Sequence, residues 1–297
     1  MKLQLFTNNY LERIMKLQYG CIFLVLLLVL MFYPTSHAQA QDTLVVDWET
    51  YPGSGEPLSN HLWNVITGDT VAGGARANLD RVYKLKKGGF YWIEERIVND
   101  GWHLRIVGEP AGATEFDNPP VIQMVTRAVG TVDGRMITVL GNLTLKNLWL
   151  TGRNDNGVQT YYQPIQVDVS NARIVVDNCI LEQTNFALIA VTGSKNNIYF
   201  TNNKFRNLLG KPSTQQWEGR GISIWADQDS VIVENNTFYM LQMTAFQLEG
   251  GAANYLRFNH NTMVNVGRGF ITGNWFKTAY FANNLLINGF WHGRRTR

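Results

Sequence analysis

Cysteine, linker segments and an excess of charge are what this sequence lacks. Of its two cysteines, Cys21 lies in an apolar N-terminal run and only Cys179 lies beyond it, so no disulfide framework can staple the chain. Lys and Arg number 26 against 23 Asp and Glu. Without Lys2, Glu12, Arg13 and Lys16 of the first forty residues, 23 basic residues face 22 acidic ones. A nucleic-acid binder would carry a basic excess or stripe, and none is present. Proline occurs eight times and there is no Pro-rich, Ser-rich or single-sign stretch, so nothing divides the chain into domains. The one long apolar run, residues 21–32 (CIFLVLLLVLMF), is shorter than the roughly 20 residues a membrane span needs.

That run follows Lys16 and precedes YPTSHAQA, with Ala38 and Ala40 in an A-x-A arrangement. A basic flank, a short apolar core and small residues at a cleavage point read as a secretory signal peptide. It covers residues 1–40, and a second MKLQ at Met15 offers an alternative start. The expected location is secreted or cell-surface, the periplasm included, with no membrane span once the signal is removed. Cys21 stands at the front of the apolar run, which argues against a lipoprotein anchor. The remaining chain, rich in Val, Ile, Leu and aromatics, is long enough to be held by its own core.

What is abundant is a repeated phrase. IYFTNNKFRNL (198–208), VIVENNTFYML (231–241), LRFNHNTMVNV (256–266) and AYFANNLLING (279–289) each place β-formers before an Asn pair or near-pair. Aligned on Asn, the phrase recurs at Asn147, Asn178, Asn203, Asn236, Asn261 and Asn284, at steps of 31, 25, 33, 25 and 23 residues. β-type patterning with a period of this length predicts a parallel β-solenoid rather than a sandwich with Asn-rich turns. In a stack of coils the same turn recurs vertically. An amide with both donor and acceptor can then bond above and below as an Asn ladder. Two residues after each Asn stand Trp149, Ile180, Phe205, Phe238, Met263 and Leu286, all suited to a core column.

A second strand precedes each phrase, and period-two alternation sends Ile165, Val167, Ile222, Ile224, Phe246 and Leu248 inward. The outward files predicted are Thr138, Gln166, Ile189, Ser223, Gln247, Ile271 and, beside them, Leu140, Asp168, Val191, Trp225, Glu249, Gly273. Extra residues collect before this strand, in 152–163 and 208–220. Long loops along one edge of a rigid array are where function is usually built.

The Asn file, three short strands per coil and loops bordering one sheet resemble the pectate-lyase-like superfamily. The resemblance runs from about Tyr83 onward, with an opening coil in 82–109. It implies an all-β, right-handed parallel β-helix with three sheets over 82–297, capped by 41–81. Because LLINGFWHGRRTR stops within a coil, the helix is expected to be truncated at its C-terminus. The superfamily holds lyases, hydrolases, esterases, tailspikes and adhesins, so it points to fold more than to activity.

Hydrolase signatures are missing. His292-Gly293 lacks an Asp cluster, and Asp168 and Glu249, three coils apart, would stand roughly 14 Å from each other, beyond the separation glycosidase carboxyls require. A lyase acting on uronic-acid polymers needs a carboxylate neutraliser and a base. The residues gathered for that are Arg220 and Arg268 as catalytic candidates. Tyr161, Tyr162, Lys211, Trp217, Trp225, Asp227, Gln247 and Glu249 are the substrate contacts, basic groups alternating with aromatic faces. Calcium is the one cofactor this leaves open, and Asn154, Asp155 and Asn156 have no ligand spacing to support it. Cys179, read as outward-facing, and His260, read as a turn residue, are assigned no chemistry. The expectation is a polysaccharide-engaging protein of lyase type. The alternatives are a non-catalytic adhesin, whose Trp217 and Trp225 would need only to bind, or a structural segment of a larger secreted protein. Oligomeric state has no signal in the sequence.

Overall fold

The computed structural model describes residues 42–48, 58–112, 118–127, 130–131, 133–157, 163–210, 217–273 and 276–289. The predicted signal peptide, Tyr161, Tyr162, Lys211 and His292-Gly293 lie outside the described residues. Strand β1 (Thr43–Val46) and helix α1 (His61–Gly68) come first. The coils follow: β2 (Val82–Leu85), β3 (Phe90–Ile93), β4 (Ile97–Asp100); β5 (Leu104–Gly108), β6 (Val121–Met124), β7 (Ile137–Leu140); β8 (Leu143–Lys146), β9 (Trp149–Thr151), β10 (Ile165–Val167). Next come β11 (Arg173–Asp177), β12 (Ile180–Glu182), β13 (Ala187–Val191); β14 (Asn197–Thr201), β15 (Lys204–Leu208), β16 (Arg220–Ile224). Then β17 (Gln228–Glu234) with β18 (Thr237–Leu248), β19 (Ala253–Asn259) with β20 (Thr262–Thr272), and finally β21 (Phe276–Ala282) with β22 (Leu285–Ile287).

Each strand of a coil pairs in parallel with its counterpart one coil on, which makes this a parallel β-helix. Sheet I is β1-β2-β5-β8-β11-β14-β17-β19-β21. Sheet II stacks β3, β6, β9, β12, β15 and the first half of β18, and sheet III stacks β4, β7, β10, β13, β16 and the second half of β18. β18 and β20 run through the corner, so sheets II and III share one hydrogen-bonded path. At the start, β1 pairs with β2, and α1 buries Leu62 and Ile66 in the same apolar cluster as the first coil.

The core is built of vertical columns from all three sheets, as stacking demands. Sheet I contributes Leu145, Val176, Phe200, Val233 and Phe258 in register. Sheet II contributes Leu150, Leu181, Phe205, Phe238 and Met263, with the Phe205 and Phe238 rings stacked at 4.9 Å. Sheet III contributes Ile137, Ile165, Ile189, Ile222, Phe246 and Phe270. All but Phe270 are buried.

These columns correct the sequence reading by one residue in three places. Trp149 and Ile180 pair with Lys204 in an outward file, and Leu150 and Leu181 take the core positions expected for them. Ile189 and Val191 face inward, beside Ile222 and Ile224. Ala190 and Thr192 stand outward instead, the latter in line with Asp168 and Trp225 through the bonds Thr192 N to Val167 O and Trp225 N to Val191 O. Asn147 and Asn178 belong to the file of Asn202, Asn235, His260 and Asn283. All six hold φ between 51° and 58°, the left-handed region where Asn is best tolerated. The side chain of Asn178 donates to Asn147 Oδ1 at 2.8 Å in this solvent-side file.

The ladder is the neighbouring file, Leu148, Cys179, Asn203, Asn236, Asn261 and Asn284, buried as far as Asn261. Each Asn Oδ1 accepts the backbone N–H of the file's residue one coil back, from Cys179, Asn203, Asn236 and Asn261, at 2.9–3.1 Å. Each Nδ2 donates to a carbonyl of that same coil, those of Val176, Phe200, Val233 and Phe258, at 2.8–2.9 Å. One side chain thus satisfies two turn groups that stacking removes from water. Cys179 lies inward in this file, 1% exposed. Burial pushes its thiol up to about 12, far from a nucleophile's range.

Candidate functional site

The outward face of sheet III carries Thr138, Gln166, Ala190, Ser223, Gln247 and Ile271 in one file. Beside them, as successive backbone bonds place them, are Asp168, Thr192, Trp225, Glu249 and Gly273. A third file at the strand entry holds Ala187, Arg220, Thr244 and Arg268. Arg220 and Arg268 are therefore two rungs apart, roughly 10 Å.

Local backbone turns Arg220 outward. Gly219 adopts φ +89°, and a Cβ on Gly221 would lie 2.6 Å from Ala245 O and 3.2 Å from the Phe238 ring. Gly221 therefore holds the core-facing position, and Arg220 before it leaves the core. Its Nε donates to Trp217 O at 2.7 Å, and Nη1 reaches Ser223 Oγ at 3.3 Å and Glu249 Oε2 at 3.5 Å. The guanidinium lies 5.3 Å from the Phe186 ring centroid and 5.9 Å from that of Trp225. Those two rings are themselves near-parallel, 5.8 Å apart at 17°. Although it is on the outer face, the Arg220 side chain is only 6% exposed. Burial lowers its pKa from the ordinary arginine value, and the Glu249 charge only partly opposes that.

Glu249 is the accessible partner. Its side chain is 49% exposed, and its Oε2 also accepts Trp225 Nε1 at 3.1 Å. Gln247, one file over and 1% exposed, has an Oε1 with no hydrogen-bond partner. Trp217 is half-exposed and Arg268 exposed. Asp227 is also exposed but is not on this face: it lies in the turn to sheet I, where its Oδ1 accepts Ala252 N at 2.6 Å. Asp155 likewise acts on the backbone, with Thr126 N and Oγ1 both donating to its Oδ1. No group of three His, Cys, Asp or Glu side chains that could hold a metal ion occurs among the described residues.

Two coils before Arg220, the same face carries a polar chain. Gln163 Nε2 donates to Gln166 Oε1, Gln166 Nε2 to Asp168 Oδ1, and Thr192 Oγ1 to that same oxygen. Arg135 stands 3.7 Å from the other Asp168 oxygen. A carboxylate only accepts, so it sets the direction of every bond upstream. The buried Gln163 Oε1 at the head of the chain is left without a donor.

The structure thus brings together Arg220, Trp217, Trp225, Gln247 and Glu249, sets Arg268 two rungs away, and leaves Asp227 out. Phe186 and Arg135 were missed from sequence. Phe186 stands immediately before Ala187, which pairs with Arg220, so the alignment of coils would have found it.

No helix among the described residues is long and apolar enough to cross a membrane. No family model matches the chain, and no curated protein matches it in sequence. Among solved structures, the chain is similar to a PL6 family alginate lyase, AlyGC, at 10% identity and a TM-score of 0.41. That match covers 83% of this chain and 40% of the other, so the chain spans less than half the length of that protein. A likeness at that level carries no argument about chemistry, which rests on the residues above.

Proposed function

We propose that this protein works outside the cell and binds a uronic-acid polysaccharide along the outward face of sheet III, with β-elimination as the accompanying reaction. The supporting observation is Arg220. It is a nearly sealed cation on an outer face, flanked by the Phe186 and Trp225 rings and met by the half-exposed carboxylate of Glu249. A desolvated guanidinium favours a carboxylate partner, and aromatic faces suit pyranose rings. In the lyase reading Arg220 neutralises the uronate carboxylate, and Arg268, in the same file, is the base only if it first gives its own proton to solvent. It then takes the proton from carbon five as the bond from carbon four to the leaving oxygen breaks and that oxygen is protonated by water. Trp217, whose carbonyl receives Arg220, extends the contacts. Tyr161, Tyr162 and Lys211, outside the described residues, are proposed contacts from the sequence alone, and calcium is tested as an added ion.

A second reading, binding without turnover, is favoured by the way Arg220 is held. Trp217 O, Ser223 Oγ and Glu249 all engage it, which is the posture of a fixed recognition group. One experiment separates the two. Wild type and Arg220→Gln are run through gels containing pectate, alginate or chondroitin. In parallel, each polymer is incubated with protein, with and without calcium, and ultraviolet absorbance of unsaturated product is followed. Retardation on one polymer, weakened about tenfold or more in Arg220→Gln, supports the site. Rising absorbance adds the lyase, and retardation without absorbance leaves the binder. Unretarded wild type on every polymer overturns the proposal.

A further inference from the structure

Among the described residues an Arg–Trp–Glu triad is built twice, with burial reversed. On sheet II, Glu182 accepts Arg206 Nε at 2.6 Å, Trp149 Nε1 at 2.9 Å and Asn207 Nδ2 at 3.2 Å. There the carboxylate is the buried member, 5% exposed against 31% for Arg206. On sheet III, Arg220 Nη1 and Trp225 Nε1 converge on one oxygen of Glu249, and here the cation is the buried member, 6% exposed against 49%. The first carboxylate is enclosed by three donors. The second is held by two, at 3.1 and 3.5 Å, and faces solvent.

We infer that the Arg220 and Trp225 donors form a carboxylate site which the chain fills with its own Glu249, and that a ligand carboxylate enters by displacing it. This rests on the glycan reading and adds a specificity-determining residue to it. Glu249 lowers affinity for anionic chains by occupying the donors and by repelling a second carboxylate at the same place. A neutral chain, with no group to compete for the donors, gains nothing when Glu249 loses its charge. The partly uncompensated burial of Arg220 agrees with a site whose resident partner is exchangeable.

Replacing the charge while keeping an acceptor is the direct test. Wild type, Glu249→Gln and, as a control on the other triad, Glu182→Gln are compared by gel retardation and by titration with the uronate polymer that retards wild type and with a neutral glucan. Thermal denaturation is run on all three. The expected result is about tenfold tighter uronate binding for Glu249→Gln, unchanged behaviour on the glucan, and no gain for Glu182→Gln. Equal or weaker uronate binding by a folded Glu249→Gln, with wild type still retarded, overturns this inference and leaves the glycan reading standing. A gain on the glucan as large as on the uronate also overturns it. If wild type is not retarded by any uronate polymer, the glycan reading and this inference fall together.

Discussion

The two Arg–Trp–Glu triads differ less in composition than in which charge is enclosed. Around Glu182 the acceptor is buried and fully supplied with donors, while Arg206 leans on the Trp149 ring, 5.1 Å from its centroid, and reaches solvent. A buried carboxylate with three donors is a closed structural element, since nothing from outside could improve on it. Around Arg220 the donor is buried and its counter-charge is the half-exposed member. A cation cannot leave its site to find a ligand, but a half-exposed carboxylate can make way for one. The same contrast separates the ladder from the outer face of sheet III. Asn203, Asn236 and Asn261 use both ends of each amide. Thr138, Gln163 and Gln247 each keep a buried oxygen without a partner. An unmade buried hydrogen bond costs about 1–3 kcal/mol, and the fold tolerates that cost at three places along this face.

The largest effect that would sharpen this contrast is in the ladder. Asn236→Leu strips the acceptor from Asn203 N–H and the donor from Phe200 C=O, both in a dry turn. A loss on the order of 3 kcal/mol is expected, measured as a lower denaturant midpoint with an unchanged slope. A loss under about 0.5 kcal/mol would show that the turn is held by strand pairing alone. Next in size is Glu182→Gln, which leaves Arg206 and Trp149 facing a neutral, partly mismatched acceptor. Breaking a buried pair can cost 3–5 kcal/mol, and the partial exposure of Arg206 reduces the expectation to about 2 kcal/mol. The same change at Glu249 should stay within about 0.5 kcal/mol of wild type. Equal losses at the two positions would break the comparison.

How far the sequence could be read follows the same physics. The β-helix, the core places of Phe205, Phe238 and Met263 and of Ile165, Ile222 and Phe246, and the turn rich in Asn were legible because stacking repeats residue types at a fixed place in each coil. Phase was lost where a coil offered nothing polar to anchor it. The strand Ala187–Val191 is buried at all five positions, so alternation could not distinguish Ile189 from Ala190. At Asn147 and Asn178 a single Asn was aligned with the second of each later pair. The left-handed position demands Asn more strictly than the ladder position does, and Leu148 and Cys179 fill the latter by packing. A second left-handed file, Gln183, Asn207, Met240, Asn265 and Asn288, went unread because Met240 interrupts it, though Asn recurs four places after the ladder residue in three coils. Arg220, Trp225 and Glu249 were found as neighbours because they share two coils. Their reversed burial was beyond reach, since exposure depends on the loops and on Gly221, not on spacing.

A change with little expected effect on stability is the most discriminating about what the open face is for. Gln247 is 1% exposed with its Oε1 unpartnered, directly beside Ser223 in the file next to Arg220. Gln247→Leu removes a buried acceptor that no protein donor serves and substitutes an apolar group of similar size. Stability should therefore remain within about 1 kcal/mol of wild type, with a gain more in keeping than a loss. That outcome is the reverse of Asn236→Leu, although both changes replace a buried amide by leucine. If the orphan oxygen exists to meet a sugar hydroxyl, the same variant should lose roughly three- to tenfold in uronate binding, the value of one hydrogen bond. A stable Gln247→Leu with wild-type binding would place the orphan oxygen outside the recognition surface and confine the site to the Arg220–Trp225 cradle. A destabilised one would mean that the amide is already satisfied, and that the outer face is as closed as the ladder.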